Sequence, residues 1–469
     1  MQTSLLLLRD TFRLHDHPGL YHAVQSGEVI PLVVIDNDSN FSFPISGAKA
    51  WWLHHAILSF QQSLEKIGGK LWYRMGDTLE VVKSFVETKK IHQVVFHYQL
   101  HPEGWEKDLA LADWLKSNNI TYKIFDGTTI FSPWEVSKQD GTPYRVYSPY
   151  FRACMAQPLP KPLKAVKDIT VPSAFPLPQG DISDLGLHPS IAWYKEMDKK
   201  WTISEAYAVK LVKKFTEYDL GRYNQLRDFP AVDKTSTISP YLATGMLSAK
   251  SVASYITKKG DGREEPFMRQ LIWRDFAYHL LYHFPKTIKQ PLNPNFENFA
   301  WETDNQVLEK WKKGMTGYPI VDAGMRQLWR TGHMHNRVRM IVASFLTKHL
   351  LQPWQIGAEW FMDTLVDADI ANNTMGWQWV AGSGADASPY FRIFNPTVQS
   401  KKFDKSGEYI KKWVPELAGI PEKYIHEPWT APDHILKDAG VKLGVDYPSP
   451  MVDHKAARER ALAKYQEIK

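Results

Sequence analysis

Apolar residues follow two rhythms along this chain. Over roughly the first 130 residues, short runs of consecutive apolar side chains alternate with stretches where they recur every three or four positions. Residues 4–8 and 29–35 predict buried strands, the second rich in β-branched side chains and closed by Asp36. Residues 48–67 carry Trp52, Ala56, Leu58, Leu64 and Ile67 at helical spacing and stop at Gly68 and Gly69, a C-cap pattern. Residues 70–74 read as extended, and Asp77 is placed to cap a helix reaching about Lys89. Residues 91–98 predict another buried strand. A helix over 103–116 and a last strand over 120–125 complete the series. Strands apolar on both faces and separated by helices imply a parallel, doubly wound sheet covered on both sides. Such α/β sheets bind ligands beyond the carboxyl ends of their strands. No G-x-G-x-x-G follows the first strand, so a standard dinucleotide site is not expected there.

The rhythm then breaks. Residues 158–189 hold seven prolines and little periodicity, which predicts an extended connection laid over the surface. Beyond Ser204 the helical period takes over, with candidate helices at 204–218, 239–244, 248–257, 265–282, 305–313, 319–331, 336–349 and 353–362. The chain divides accordingly into an α/β domain at 1–130, a connector at 131–200 and a larger all-α domain at 201–469.

Composition narrows the function. A chain of 469 residues exceeds one hydrophobic core. Net charge of +6 is compatible with a nucleic-acid partner without requiring one. Cys154 is the only cysteine, which rules out internal disulfides and cysteine-built zinc or iron–sulfur sites. No apolar run approaches a membrane span and no signal peptide is visible, so a cytoplasmic protein is expected. Aromatic content is high, with 18 Trp, 21 Tyr and 22 Phe, and invites stacking or electron transfer as well as core packing.

The richest stretch is 367–379, with two acids, two asparagines and two indoles in thirteen residues. It suits neither a plain amphipathic helix nor a solvated loop. Asp367 and Asp369 are candidates to hold cations or donors, Asn373 to read a heteroatom, and Trp377 and Trp379 to stack or carry electrons. Residues 235–240 place four hydroxyls before a helix, with Ser239 expected as N-cap and Pro240 in the first turn; this suits a phosphate, and equally an ordinary helix start. Arg339 is expected to pair with Asp367 or Asp369. His333 and His335, at i, i+2, do not share a helix face, so no metal is expected there. No hydrolase triad or Walker motif appears.

Residues 235–244 (TSTISPYLAT), 271–276 (LIWRDF), 316–326 (TGYPIVDAGMR), 334–340 (MHNRVRM) and 367–395 occur in the order seen in the DNA photolyase/cryptochrome family, and the chain resembles that family over nearly its whole length. Residues 51–54 and 141–150 add to the likeness. The resemblance implies an α/β antenna domain and a helical domain holding a U-shaped FAD. By motif, Tyr223, Thr235, Ser236 and Ser239 match positions at the FAD phosphates and ribityl chain. Arg339 matches the arginine over the flavin, paired with Asp367. Asp369 matches a second acid at the ring edge, and Asn373 the residue facing flavin N5. Trp377, Trp354 and Trp301 match a three-tryptophan relay. Gln270, Trp273, Asn336, Arg337, Met340 and Gln399 match lesion and DNA contacts.

The implied activity is light-driven splitting of cyclobutane pyrimidine dimers in UV-damaged DNA, by a monomer with no obligate protein partner. A cryptochrome-type receptor without repair and a (6-4) photolyase are the alternatives. Members acting on (6-4) lesions carry histidine where Asn336 and Met340 stand. Gln270 stands where cyclobutane-dimer enzymes usually place glutamate. A methenyltetrahydrofolate antenna is expected at the strand ends near His101 and Glu103.

Overall fold

The computed structural model describes residues 2–36, 41–232, 234–260 and 262–469. The first domain runs β1 (Gln2–Leu8), α1 (Pro18–Ser26), β2 (Gly27–Ile35), α2 (Gly47–Glu65), β3 (Trp72–Met75), α3 (Thr78–Glu87), β4 (Gln93–His97), α4 (Pro102–Ser117) and β5 (Thr121–Phe125). The strands lie in the order β3-β2-β1-β4-β5, all parallel. Alternate residues explain how both faces are covered. Leu5, Leu7, Ile30, Leu32, Val94 and Phe96 pack with Val82 and Phe85 of α3 and with Leu111 and Leu115 of α4. Their neighbours Leu6, Leu8, Val33 and Val95 pack the other way, with Leu20 of α1 and Trp52, Ala56 and Phe60 of α2. The doubly wound sheet is therefore as the sequence implies.

α1 was not among the expected helices. It rests on its ends, with Pro18 in the first turn and the His17 ring accepting from the Leu20 N–H at 3.0 Å. The connector is not wholly extended. Tyr147–Met155 forms α5, which packs on the long Glu265–His283 helix. The proline-rich stretch lies along the sheet: the Val29 N–H donates to the Thr170 carbonyl at 2.8 Å and the Tyr73 N–H to that of Gln179 at 3.0 Å.

The remainder is helical. Pro319–Thr331 and Glu265–His283 form as expected. Two expected helices end in wide turns, so Glu205–Lys214 is followed by a π turn at Phe215–Asp219, and Asn336–Ser344 by one at Phe345–His349. Helices at Ile370–Ala381, Pro396–Phe403, Glu408–Trp413, Asp433–Asp438 and His454–Gln466 are additional to the expected set. The sheet and the helical domain share a core, because one apolar cluster continues from Leu6 and Trp52 to Met268, Leu271 and Phe276. At that seam the Trp52 indole N–H donates to the Thr244 hydroxyl at 3.1 Å, and its ring meets Trp201 and Tyr241 edge-on. A second cluster, with Trp311, Trp354, Phe361 and Trp377, lies within the helical domain.

Candidate flavin and lesion site

The stretch that fits no simple pattern, 367–379, is a turn followed by the Ile370–Ala381 helix. Asp369 is its N-cap, accepting from the Asn372 N–H at 2.8 Å, and Gly382 ends it at φ +88°. The helix lacks an apolar stripe because it has packing partners on several sides. The Glu265–His283, Asn336–Ser344 and Trp354–Thr364 helices all touch it. These four helices bring together residues separated by more than a hundred positions.

Arg339 chooses Asp367. One terminal guanidinium nitrogen reaches both carboxylate oxygens, at 3.0 and 2.9 Å, while its Nε donates to the Met334 carbonyl at 2.7 Å. Ser239 joins from a third segment, its hydroxyl donating to Asp367 Oδ2 at 2.7 Å. Burial works to raise the Asp367 carboxyl, but Arg339, His333 and the two donated hydrogen bonds outweigh it and leave the group below its ordinary range. Asp367 is thus a buried, ionised carboxylate held by a cation. Ser239 is not the expected N-cap: it is the first helical residue of Ser239–Ala243, Ile238 holds the cap position, and the hydroxyl serves Asp367 instead.

Asp369 makes a different set of bonds. Besides capping its helix, it accepts from the Asn372 amide at 2.9 Å and from the Tyr278 hydroxyl. Asn373 donates its amide N–H to the Ala358 carbonyl at 2.9 Å. That bond fixes the amide, and Oδ1 accepts from no group among the described residues. Thr235 and Ser236 are half-buried, and their hydroxyls have no protein partner among the described residues. Thr237 turns the chain beside them at φ +53°, a costly conformation for a β-branched residue. Tyr223 stands apart from this network, buried edge-on between Phe215 and Phe267 with the Arg227 guanidinium 5.7 Å above its ring.

Trp377 and Trp354 lie buried in the same core, with Trp301 half-buried against it. Trp377 meets Phe361 edge-on at 4.9 Å. A methyl group at Gly357 would stand 2.1 Å from the Trp377 ring, so this glycine, three residues after Trp354 on the same helix, lets the indole lie against the helix backbone. The Trp301 segment is tied to the start of that helix by the Glu302 N–H, which donates to Leu351 O at 2.8 Å.

Among the candidate lesion residues, Trp273 is held face to face with Tyr147 of α5, centroids 3.6 Å apart and planes within 9°. The Tyr147 hydroxyl donates to the Arg269 carbonyl at 2.7 Å. Gln270 makes one long bond, 3.4 Å, to the Pro266 carbonyl of its own helix. Asn336 is exposed, with its amide nitrogen 4.0 Å from the Met340 sulfur. Arg337 is engaged by the protein: it pairs with Asp228 at 2.8 Å and lies 4.4 Å over the Phe403 ring. Phe403 belongs to Pro396–Phe403, the helix that carries Gln399. Tyr147, Tyr278 and Gly357 escaped sequence reasoning. Only Gly357 left a signal, a lone glycine inside a helical pattern.

Near the expected antenna position, burial opposes ionisation of Glu103, but hydrogen bonds from His101, Ser42 and its own backbone bring the carboxyl down to about 2. Beyond β4, Tyr98 and Trp105 stack at 4.7 Å, and Trp134 and Tyr282 meet Trp105 at 5.9 and 5.1 Å. Four aromatic rings therefore gather where the strand ends face the helical domain.

Free hydroxyls at 235–236, a buried ion pair and a fixed amide oxygen form a donor and acceptor set that fits a flavin dinucleotide. The comparisons agree. Residues 4–167 match the DNA photolyase family and residues 267–467 match the FAD binding domain of DNA photolyase. A deoxyribodipyrimidine photo-lyase of Agrobacterium fabrum is 43% identical, the match covering 99% of this chain and 98% of that protein. The crystal structure of a bacterial class III photolyase from Agrobacterium tumefaciens superposes with a TM-score of 0.95 at 43% identity, covering 100% of this chain and 98% of that one. Cryptochrome-2 of Arabidopsis thaliana is 32% identical over 99% of this chain and 79% of its own length. The chain belongs to the DNA photolyase/cryptochrome family.

Proposed function

We propose that this protein is a deoxyribodipyrimidine photo-lyase, an FAD-dependent, light-driven enzyme that splits cyclobutane pyrimidine dimers in DNA. The observation that carries the reading is the joined set of Arg339, Asp367 and Ser239, an ion pair and a hydroxyl brought together from three chain segments, with Asn373 fixed by Ala358 on the helix that follows Asp367. When bound and reduced, FAD supplies the light-driven electron that opens the cyclobutane ring and is then returned. The protein's part is to hold and shield. Thr235 and Ser236 offer hydroxyls to the phosphates and ribityl chain. Arg339, neutralised by Asp367, would present a cation to the flavin without adding net charge. Asn373 offers an acceptor at N5 that carries no negative charge. Trp301, Trp354 and Trp377, in or against one core, would carry reducing electrons to the flavin, and Asp369 would be its second acidic contact.

The lesion must leave the helix to reach the cofactor, as in other base-flipping enzymes. Trp273 presents one ring face for stacking because Tyr147 covers the other. Gln270, Asn336 and Met340 then hold the dimer. Arg337 acts mainly by fixing the Gln399 helix beside it. Asn336 and Met340 cannot act as acids, so the proton transfer needed for a (6-4) lesion has no donor at those positions. This favours the cyclobutane dimer. The division into 1–130, 131–200 and 201–469 goes with this reading, as do a monomeric state and a cytoplasmic location; no helix among the described residues is long and apolar enough to cross a membrane. A folate-type antenna accompanies the reading, supported by the ring cluster of Tyr98, Trp105 and Trp134.

Purified, flavin-reduced protein under blue light should restore oligonucleotides carrying a cyclobutane dimer and leave (6-4) substrates unchanged. A Gln270→Glu variant should raise the quantum yield. FAD-loaded protein that repairs neither substrate would leave the cryptochrome reading in its place.

A further inference from the structure

A groove of about 520 Å³ opens between the Asn305–Lys312, Pro319–Thr331 and Trp354–Thr364 helices, and none of the residues assigned above to flavin or lesion lines it. Its size falls in the range of small-ligand pockets, about 300–1,000 Å³. One wall is two indoles. Trp329 and Trp360 lie parallel within 2°, centroids 5.9 Å apart, and Trp329 is 61% exposed. Trp329 therefore presents most of an indole to water beside the charged lining. The remaining lining is cationic. Lys312 sits 4.9 Å over the Trp360 ring, Lys313 and Arg330 reach the rim, and Arg326 lies behind them. Arg326 is committed to Glu416 at 2.6 Å and to the Gly314 carbonyl at 3.0 Å. Glu309, the lone acid in the lining, is shared by Lys312 and Lys313 at 3.5 and 3.7 Å. Arg330 has no acidic partner among the described residues. The groove thus joins a flat π surface to an excess of positive charge.

We infer that this groove is a nucleotide-binding site, taking a planar heteroaromatic base on the exposed face of Trp329 and its phosphate on Arg330 and Lys313. Bases stack on tryptophan with little dependence on their identity. A guanidinium free of carboxylates is the group best shaped for phosphate. Two sources share this chemistry: a free nucleotide, and an unpaired base with its phosphate in single-stranded DNA.

The test uses the full-length protein with FAD bound, so that the flavin site is occupied. Fluorescent 1,N6-etheno-AMP is titrated and its anisotropy followed. Binding should saturate and should weaken about tenfold in Trp329→Ala, with a comparable loss in Arg330→Ala, and should be unchanged in Trp273→Ala. Displacement by unlabelled AMP but not by an undamaged oligothymidylate would assign the site to free nucleotide. Displacement by the oligonucleotide, itself bound more weakly by Trp329→Ala, would assign it to a DNA strand. Absence of saturable binding by the wild type, or binding untouched by both groove variants, would overturn the inference. Both variants alter exposed side chains, and circular dichroism with retained FAD confirms that they fold.

Discussion

Asp367 and Asp275 are both buried, and their surroundings push their carboxyls in opposite directions. Asp367 faces Arg339 and Ser239 and is held below the ordinary carboxylate range. Asp275 lies at the seam between the domains, where it accepts the Ile130 and Phe131 N–H groups at 2.9 and 3.0 Å. Burial pushes its carboxyl up to about 7, against those hydrogen bonds and the nearby Arg274. Its Oδ1 has no hydrogen-bond partner among the described residues. Burial alone therefore does not mark a functional carboxylate. What separates the two is whether a cation was brought to meet the charge. Arg339 bonds Asp367 directly, whereas Arg274, beside Asp275, is spent on the Thr128 and Leu242 carbonyls.

The sharpest break of this contrast is Asp367→Asn. It leaves the Arg339 charge without its partner, a loss of about 3–5 kcal/mol by analogy with other broken buried pairs. FAD content after purification should collapse and the thermal midpoint should fall. A variant that keeps its flavin would remove Asp367 from the site. Gly357→Ala comes next and asks how far the tight ordering extends beyond that pair. The added methyl meets Trp377 at 2.1 Å, so overpacking of about 1–3 kcal/mol and slowed photoreduction of oxidised flavin are expected. Trp354→Phe should give the same loss of photoreduction without the strain, with repair by chemically reduced enzyme near normal. Transient absorption measures both.

Asp275→Asn sharpens the comparison through pH. A carboxyl whose folded pKa is raised stabilises the protein at low pH, and that contribution is lost as pH climbs from about 4 to about 7, at up to about 1.4 kcal/mol per unit. Asp367 has the opposite sign, its contribution being present above its unfolded pKa and lost in acid. Thermal midpoints from pH 4.5 to 7.5 should therefore fall less steeply in Asp275→Asn than in the wild type. An unchanged slope would mean that Asp275 is ionised throughout. The smallest effect is expected for Tyr147→Phe, which keeps the ring on Trp273 and removes one hydrogen bond, worth about 0.5–1.5 kcal/mol. Dimer affinity should weaken a few-fold with the repair yield per bound dimer unchanged. A changed yield would show that Tyr147 acts on the chemistry itself.

The sheet was legible because its inner strands β1, β2 and β4 are apolar on both faces and its helices end at glycines or polar caps, signals that lie within a few residues of one another. Pro319–Thr331 was legible to the residue for the same reason, with proline at its start and Gly332 just past its end. The Ile370–Ala381 helix was not, because contact on several sides erases the periodicity that marks a helix with one wet face. The residues alone left Arg339 open to Asp367 or Asp369 and the motif likeness chose Asp367; the physical ground for that choice, Tyr278 taking the second acid, is visible only in the fold. The motif likeness named Ser239 as a site residue, while the expectation that it caps its helix failed because its hydroxyl has a stronger acceptor in Asp367. Tyr147 against Trp273 could not be foreseen. The two lie more than a hundred residues apart, and nothing local in either stretch encodes the meeting.

The proline-rich connector has a further consequence through its two backbone bonds to the sheet. β3 is an edge strand, and beside the first half of β2 there is no β3 residue to pair. Gln179 meets Tyr73 on that outer edge, and Thr170 meets Val29 beside it. The segment that looks like a tether thus doubles as a guard rail against intermolecular strand pairing, and its prolines, which carry no N–H, make it a poor template for the next chain. Nicking the connector near 160–180 should leave the two halves associated through their shared core. The cleaved protein should nonetheless aggregate more readily on warming, because an edge that was covered in the intact chain would then be open to a neighbour.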